Sequence, residues 1–115
     1  MSIIMSFRAF GQCVVIDSPF NKNIMTQIEL KTLVAAVVLQ NRYFEPTDEI
    51  SFRLWTFAGN SVQLANHFNK EKAENLLGKM KALPTTPLWE KATKEQEEDL
   101  NNLTTRLEEL MNEKQ

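Results

Sequence analysis

The chain contains one cysteine and one histidine, the residue types that most often act as a nucleophile or a general base near neutral pH. Cys13 precedes the apolar run 14–16, and His67 has apolar neighbours at positions 64, 65 and 68. Such surroundings are typical of a core cysteine and of a structural histidine. A single cysteine cannot form an intrachain disulfide, and one Cys with one His cannot complete a Cys/His zinc site.

The sequence lacks the common catalytic and phosphate-binding motifs, including Gly-x-Ser-x-Gly, the Walker loop, Gly-x-Gly-x-x-Gly and His-Glu-x-x-His. Because the chain has only three glycines, we expect no glycine-rich phosphate loop. Catalysis by carboxylates alone stays open, since tertiary structure assembles such pairs from distant positions. We expect a protein that is not an enzyme and that has no cofactor and no metal.

Aromatic residues cluster next to two arginines in the middle of the chain. Between positions 43 and 68 lie Tyr43, Phe44, Phe52, Trp55, Phe57 and Phe68, and Arg42 and Arg53 are their neighbours. A guanidinium group binds anions and an aromatic ring stacks on planar groups, so this mixture suits a small anionic ligand such as a nucleotide. Arg42, Arg53 and Trp55 are the candidate contacts. The alternative is that these aromatic residues simply form the core.

Residues 61–83 resemble a degenerate helix-turn-helix. Asn69 stands at the turn position usually held by glycine, and Ala65 stands where the two helices touch. The candidate phosphate contacts are Lys70, Lys72, Lys79 and Lys81. Lys70 and Asn75, however, occupy positions that are apolar in the motif. A DNA-binding regulator is therefore an alternative function, and two ordinary core helices with solvated lysines are favoured over it.

The C-terminal segment carries an apolar seam with alternating spacings of four and three residues, the pattern of coiled-coil a and d positions. The seam runs through Trp89, Thr93, Gln96, Leu100, Leu103, Leu107, Leu110 and Lys114. We expect this face to pair with a second copy or with a partner's helix, through Trp89, Leu100, Leu103, Leu107, Leu110 and Met111. The competing hypothesis is that the helix folds back onto its own body.

Capping and breaking signals predict the helices that position these residues. Thr26 and Glu29 match the capping box, so we expect a helix over 26–41. Its apolar residues surround much of the circumference, which predicts the most buried helix. Further helices are expected over 48–58, 61–68 and 70–83, with a stop at 59–61, and a last helix from Pro87 to 114. Residues 3–16 fit one or two short strands, with a helix as the alternative.

Length and composition complete the expected architecture. With 115 residues, 43% of them hydrophobic, the chain can bury a core without disulfides. We expect a mainly α fold: a helical body over 1–84 with a short N-terminal extended element, and a projecting amphipathic helix over 85–115. No signal peptide or transmembrane segment is evident, which favours the cytoplasm and no membrane partner. The leading hypothesis is a non-enzymatic interaction protein (an adaptor, inhibitor or assembly factor) that binds itself and another protein.

Overall fold

The computed structural model describes residues 25–115, and this part of the chain is helical without strands. Its four α-helices are α1 (Gln27–Arg42), α2 (Glu49–Asn66), α3 (Lys70–Ala82) and α4 (Lys94–Glu113). Two short 3-10 helices, Leu83–Thr85 and Pro87–Lys91, connect α3 to α4. The mainly α class is therefore confirmed. The predicted extended element over 3–16 lies outside the described residues.

Helix α1 begins at the predicted capping box. The Glu29 backbone N–H donates to Thr26 Oγ1 at 3.0 Å, and the Thr26 backbone N–H donates to Glu29 Oε1 at 2.9 Å. These two bonds satisfy amides that the first turn leaves without a helical partner. Thr26 Oγ1 also donates to Glu113 Oε1 at 2.8 Å. The start of α1 is thereby joined to the end of α4.

Helix α2 is a single helix of 18 residues, so the predicted stop at 59–61 is wrong. The glycine in its middle costs about 1 kcal/mol relative to alanine. Burial outweighs that cost because Leu64 and Ala65 continue the apolar face begun by Leu54 and Phe57. A Cβ atom at Gly59 would lie 3.4 Å from Gln40 Nε2, the end of a flexible side chain, so the packing of α1 on α2 does not require glycine here.

The N-cap of α2 is Asp48. Its Oδ1 accepts a hydrogen bond from the Ser51 backbone N–H at 2.8 Å, and its Oδ2 accepts one from Ser51 Oγ at 3.2 Å. A carboxylate at this position also complements the positive end of the helix dipole. Its caps and its buried face together explain why α2 forms over this range.

The segment predicted as one helix from Pro87 divides into two elements. Pro87–Lys91 is a 3-10 helix, and α4 begins only after Thr93. Thr93 and Gln96 form a second capping box: the Gln96 backbone N–H donates to Thr93 Oγ1 at 3.1 Å, and the Thr93 backbone N–H donates to Gln96 Oε1 at 2.9 Å. The second and third positions of the predicted heptad seam, Thr93 and Gln96, thus form the cap that begins the helix.

All four helices share one hydrophobic core. It contains apolar side chains from every helix, among them Leu39 of α1, Leu54 of α2, Met80 of α3 and Leu103 of α4. The predicted long C-terminal helix is present, but it packs along α1, α2 and α3 instead of projecting. The ranges 1–84 and 85–115 therefore do not have separate cores within the described residues.

Helix α1 is only half buried, which corrects the expectation that it is the most buried helix. Its inner side places Thr32, Ala36 and Leu39 in the core. The opposite side, here called the outer face of α1, leaves four apolar side chains exposed: Leu30 (51%), Val34 (53%), Val37 (39%) and Val38 (45%). A helix that is apolar all round needs cover on all sides, and the described chain supplies it on one.

Candidate functional site

The leucines predicted to bind a second chain are buried inside this one. Leu100 is 2% exposed, and Leu103, Leu107 and Leu110 are fully buried. A second copy could reach them only if α4 left its own core, so these four are not a surface in this fold. The other two predicted interface residues, Trp89 and Met111, are half-buried and pack against the same core.

Polar contacts hold α4 against α1 along the edge of that core. Arg42 Nη1 lies 2.5 Å from Asp99 Oδ1, and Tyr43 Oη donates to Asp99 Oδ2 at 2.6 Å. Burial of the phenol, followed by its hydrogen bond to the Asp99 carboxylate, raises the pKa of Tyr43. The hydrogen bond to Asp99 raises the pKa of Arg42. Asp99 thus accepts hydrogen bonds from two neighbouring residues at the C-terminal end of α1.

Two further ion pairs attach α4 to its neighbours. Lys114 Nζ contacts Glu29 Oε2, and this bond, with the Thr26 backbone N–H, lowers the pKa of Glu29. Lys81 Nζ of α3 lies 2.7 Å from Glu108 Oε2. The carboxylates of Asp99, Glu108 and Glu113 in α4 therefore all have partners elsewhere in the chain.

The predicted anionic-ligand contacts do not come together. Arg42 faces Asp99, with Glu95 Oε2 3.9 Å from its Nε atom. Arg53 pairs with Glu49 of its own helix at 3.0 Å. The Trp55 ring stacks with Phe52 at a centroid distance of 6.2 Å. Each arginine has a carboxylate partner in this fold. Binding of an anionic ligand by Arg42, Arg53 and Trp55 stays a prediction.

The predicted nucleic-acid contacts divide between two sides of α3. Lys72 and Lys79 are seven residues apart and lie on one side of the helix. Lys70 and Lys81 are eleven residues apart and lie on a different side, where Lys81 pairs with Glu108. Helices α2 and α3 do flank a short turn over 67–69, as the motif requires. The four lysines nevertheless do not form one basic face.

A cleft of about 590 Å³ opens between the C-terminal half of α2 and helix α3. We call it the α2–α3 cleft. Its lining residues fall into three kinds: cationic or aromatic (His67, Phe68, Lys72, Lys79), carboxamide (Asn60, Gln63, Asn69, Asn75) and apolar (Leu64, Leu76). Among residues 25–115, no aspartate or glutamate lines it. The sequence signals that could have indicated it were the seven-residue spacing of Lys72 and Lys79 and the three-residue spacing of Asn60 and Gln63.

A buried polar contact lies where α4 meets α2. Gln96 Nε2 donates to Ser51 Oγ at 3.0 Å and to Asp48 Oδ1 at 3.4 Å. Gln96 therefore completes its own helix cap and contacts the cap of α2. Because both ends of the contact are hydrogen-bonded, it orients two helix starts and leaves no reactive group exposed.

Comparison of the chain with protein-family models, with curated proteins and with solved structures produced no match in any of the three. Within residues 25–115, no group of three His, Cys, Asp or Glu side chains is arranged to hold a metal ion. Over the same range, no helix is both long and apolar enough to cross a membrane. The exposed apolar side chains of α1 and the cavity beside α3 leave two candidate sites in this part of the chain, the outer face of α1 and the α2–α3 cleft.

Proposed function

We propose that this protein is a small non-enzymatic interaction protein that pairs with a second copy of itself through the outer face of α1. The observation that carries the proposal is the exposure of four apolar side chains at positions i, i+4, i+7 and i+8 of one helix: Leu30, Val34, Val37 and Val38. Contiguous apolar surface rimmed by polar residues is typical of protein-binding sites.

The charge pattern of α1 supports an apolar contact. No residue from Thr32 to Asn41 is charged, although half of this stretch faces outward. A solvated helix face normally carries charged and polar residues. Lys31 and Arg42 stand at the two ends of the uncharged stretch, so they form a rim around it. Removing such a surface from water gains about 25 cal/mol per Å² of apolar area.

The same face is complementary to itself. If two copies of α1 pair antiparallel about a two-fold axis at Val34, Leu30 of one copy lies beside Val38 of the second. Gln27 then lies beside Asn41, so one exposed carboxamide meets another at each end. A two-fold interface uses the same patch on both partners, and this patch has no charge in its centre to repel its copy.

The proposed role follows from binding and not from chemistry. Such a dimer would act by occupying the surface of another protein, as an adaptor, inhibitor or assembly factor does. The rings of Phe44 and Phe52 are also exposed and suit that further contact. We place this activity in the cytoplasm.

Size-exclusion chromatography with light scattering tests the proposal on the full chain. The wild type is expected to be a dimer, and Val34→Lys a monomer, because a buried lysine at the two-fold axis would face its own copy. Asn101→Lys is the matched control, since it adds the same charge at an exposed position of α4, and it should remain a dimer.

Two results would contradict the proposal. One is a wild type that is monomeric across the accessible concentrations. The other is a Val34→Lys variant that remains dimeric. A monomeric wild type that loses thermal stability on Val34→Lys would show instead that another part of the same chain covers the face.

A further inference from the structure

The α2–α3 cleft holds cations that no carboxylate neutralises. Among the described residues, Lys72 and Lys79 have no Asp or Glu oxygen within ion-pairing distance, whereas Lys81 has Glu108 and Lys114 has Glu29. A concave site lined by one sign of charge concentrates the field and attracts ligands of the opposite sign. Within residues 25–115, the cleft is thus a cavity that presents two lysines without a carboxylate in its lining.

The remaining lining suits a ligand that is more than a simple ion. Leu64 and Leu76 lie at the base of the cleft and are almost fully buried, so the half-buried ring of Phe68 is the main apolar group that a ligand can reach. The volume of about 590 Å³ lies inside the range of small-molecule sites, roughly 300–1,000 Å³. An inorganic anion would leave most of this space and all of its apolar surface unused.

Carboxamides complete the set of recognition groups. Asn60, Gln63 and Asn75 line the cleft, and within residues 25–115 none of their side chains has a hydrogen-bond partner. A carboxamide offers donors and an acceptor together, which matches the edge of a planar heterocycle. Asn69 differs, because its Oδ1 accepts from the Lys72 backbone N–H at 2.9 Å and caps α3.

We infer that the α2–α3 cleft binds a small ligand of the nucleotide class, with its phosphate at Lys72 and Lys79 and its planar base against Phe68 and the carboxamides. Lysine ammonium groups bind phosphate as point charges. This site is distinct from the residues Arg42, Arg53 and Trp55, although it suits the same class of ligand. It is also independent of the outer face of α1.

Isothermal titration calorimetry on the full chain tests the inference with adenosine 5′-monophosphate, inorganic phosphate and adenosine as probes. The mononucleotide should bind more tightly than either of the other two, because only it uses both halves of the cleft. Lys79→Ala and Lys72→Ala should each weaken its binding about tenfold, the effect of losing one hydrogen bond to a charged group.

The matched control is Lys70→Ala, which removes the same charge from the same helix on its other side. Its affinity for the mononucleotide should equal that of the wild type. Phe68→Leu keeps an apolar side chain in the core and removes the ring. It should reduce the preference for the mononucleotide over phosphate while the thermal transition shows that the variant is folded.

Several outcomes would overturn the inference. They are the absence of mononucleotide binding, equal binding of adenosine, and equal losses in the Lys79→Ala and Lys70→Ala variants. Binding of a single-stranded oligonucleotide without any binding of the mononucleotide would replace the small ligand with nucleic acid. None of these results depends on whether the chain is a dimer.

Discussion

Two helices of this protein each carry an apolar stripe, but one stripe is buried and the other is exposed. The leucines of α4 repeat with spacings of three and four residues and are buried, whereas the residues of the outer face of α1, at spacings of four, three and one, are exposed. The leucine seam predicted a partner chain, and α1 predicted the centre of the fold. Periodicity therefore identifies an apolar stripe in the sequence, but it does not indicate which surface covers that stripe in the fold.

Geometry and polar contacts explain why α4 is the covered helix. Its single apolar face fits against α1, α2 and α3, and its polar face carries the carboxylates Asp99 and Glu108, which pair with Arg42 and Lys81. Helix α1 has two apolar faces. Within residues 25–115, the other helices cover one of them and the second is exposed.

The largest expected effect is the difference in unfolding free energy between a leucine-to-alanine substitution in the buried stripe and the same substitution in the exposed stripe. Leu107→Ala should lower the free energy of unfolding by about 2–5 kcal/mol, because it removes a fully buried side chain and leaves a cavity. Leu30→Ala, the same chemical change at a half-exposed position, should cost less than about 1 kcal/mol. Urea denaturation of the two variants, measured at equal low protein concentration, checks the comparison.

Equal losses of unfolding free energy in the two variants would contradict this expectation. It would also be contradicted if Leu107→Ala unfolded like the wild type but converted a dimer into a monomer. The second result would restore the leucine seam as an interface between chains and would require α4 to pack differently in solution.

Short sequence patterns correctly predicted a feature of the fold that depends only on neighbouring residues, the start of a helix. The capping box of Thr26 and Glu29 is a pattern of four residues, and it marked the start of α1 correctly. The box of Thr93 and Gln96 has the same form, but the good helix formers around it favoured one uninterrupted helix. Gly59 led to the opposite error, since a helix end was predicted at 59–61 and the helix continues through it. Burial of the surrounding apolar face decides whether a glycine ends a helix.

The candidate sites could not be predicted in the same way because tertiary packing creates them. The α2–α3 cleft needs side chains from two helices and the turn between them. Arg42 looked available in the sequence, but Asp99, a carboxylate 57 residues away, occupies it. Whether a cation is free to bind a ligand depends on such distant partners, and no spacing along the chain indicates them.

A smaller loss of stability is expected when the polar contacts of Asp99, beside the buried leucines of α4, are removed. Asp99→Ala should lower the free energy of unfolding by about 1–3 kcal/mol, because it leaves the buried Tyr43 hydroxyl without its acceptor and Arg42 without its nearest carboxylate. Chemical denaturation of the wild type, Asp99→Ala, Tyr43→Phe and the double variant measures the coupling. The loss on Asp99→Ala should be smaller when Tyr43 is already phenylalanine; equal losses in both backgrounds would show that the tyrosine bond contributes nothing.

The smallest effect tests the end of the same edge through pH. Lys114 and the Thr26 N–H lower the pKa of Glu29 in the folded chain, so its contribution to stability is present above the ordinary carboxyl pKa and is lost as pH falls through the lowered value. Glu29→Gln should therefore destabilise the protein by less than about 1 kcal/mol at neutral pH. The difference from the wild type should disappear in acid, as followed by denaturation across pH 2–7. Glu45→Gln, at an exposed position, is the matched control, and a difference that persisted in acid would mean that hydrogen-bond geometry rather than charge holds this end of α4 to α1.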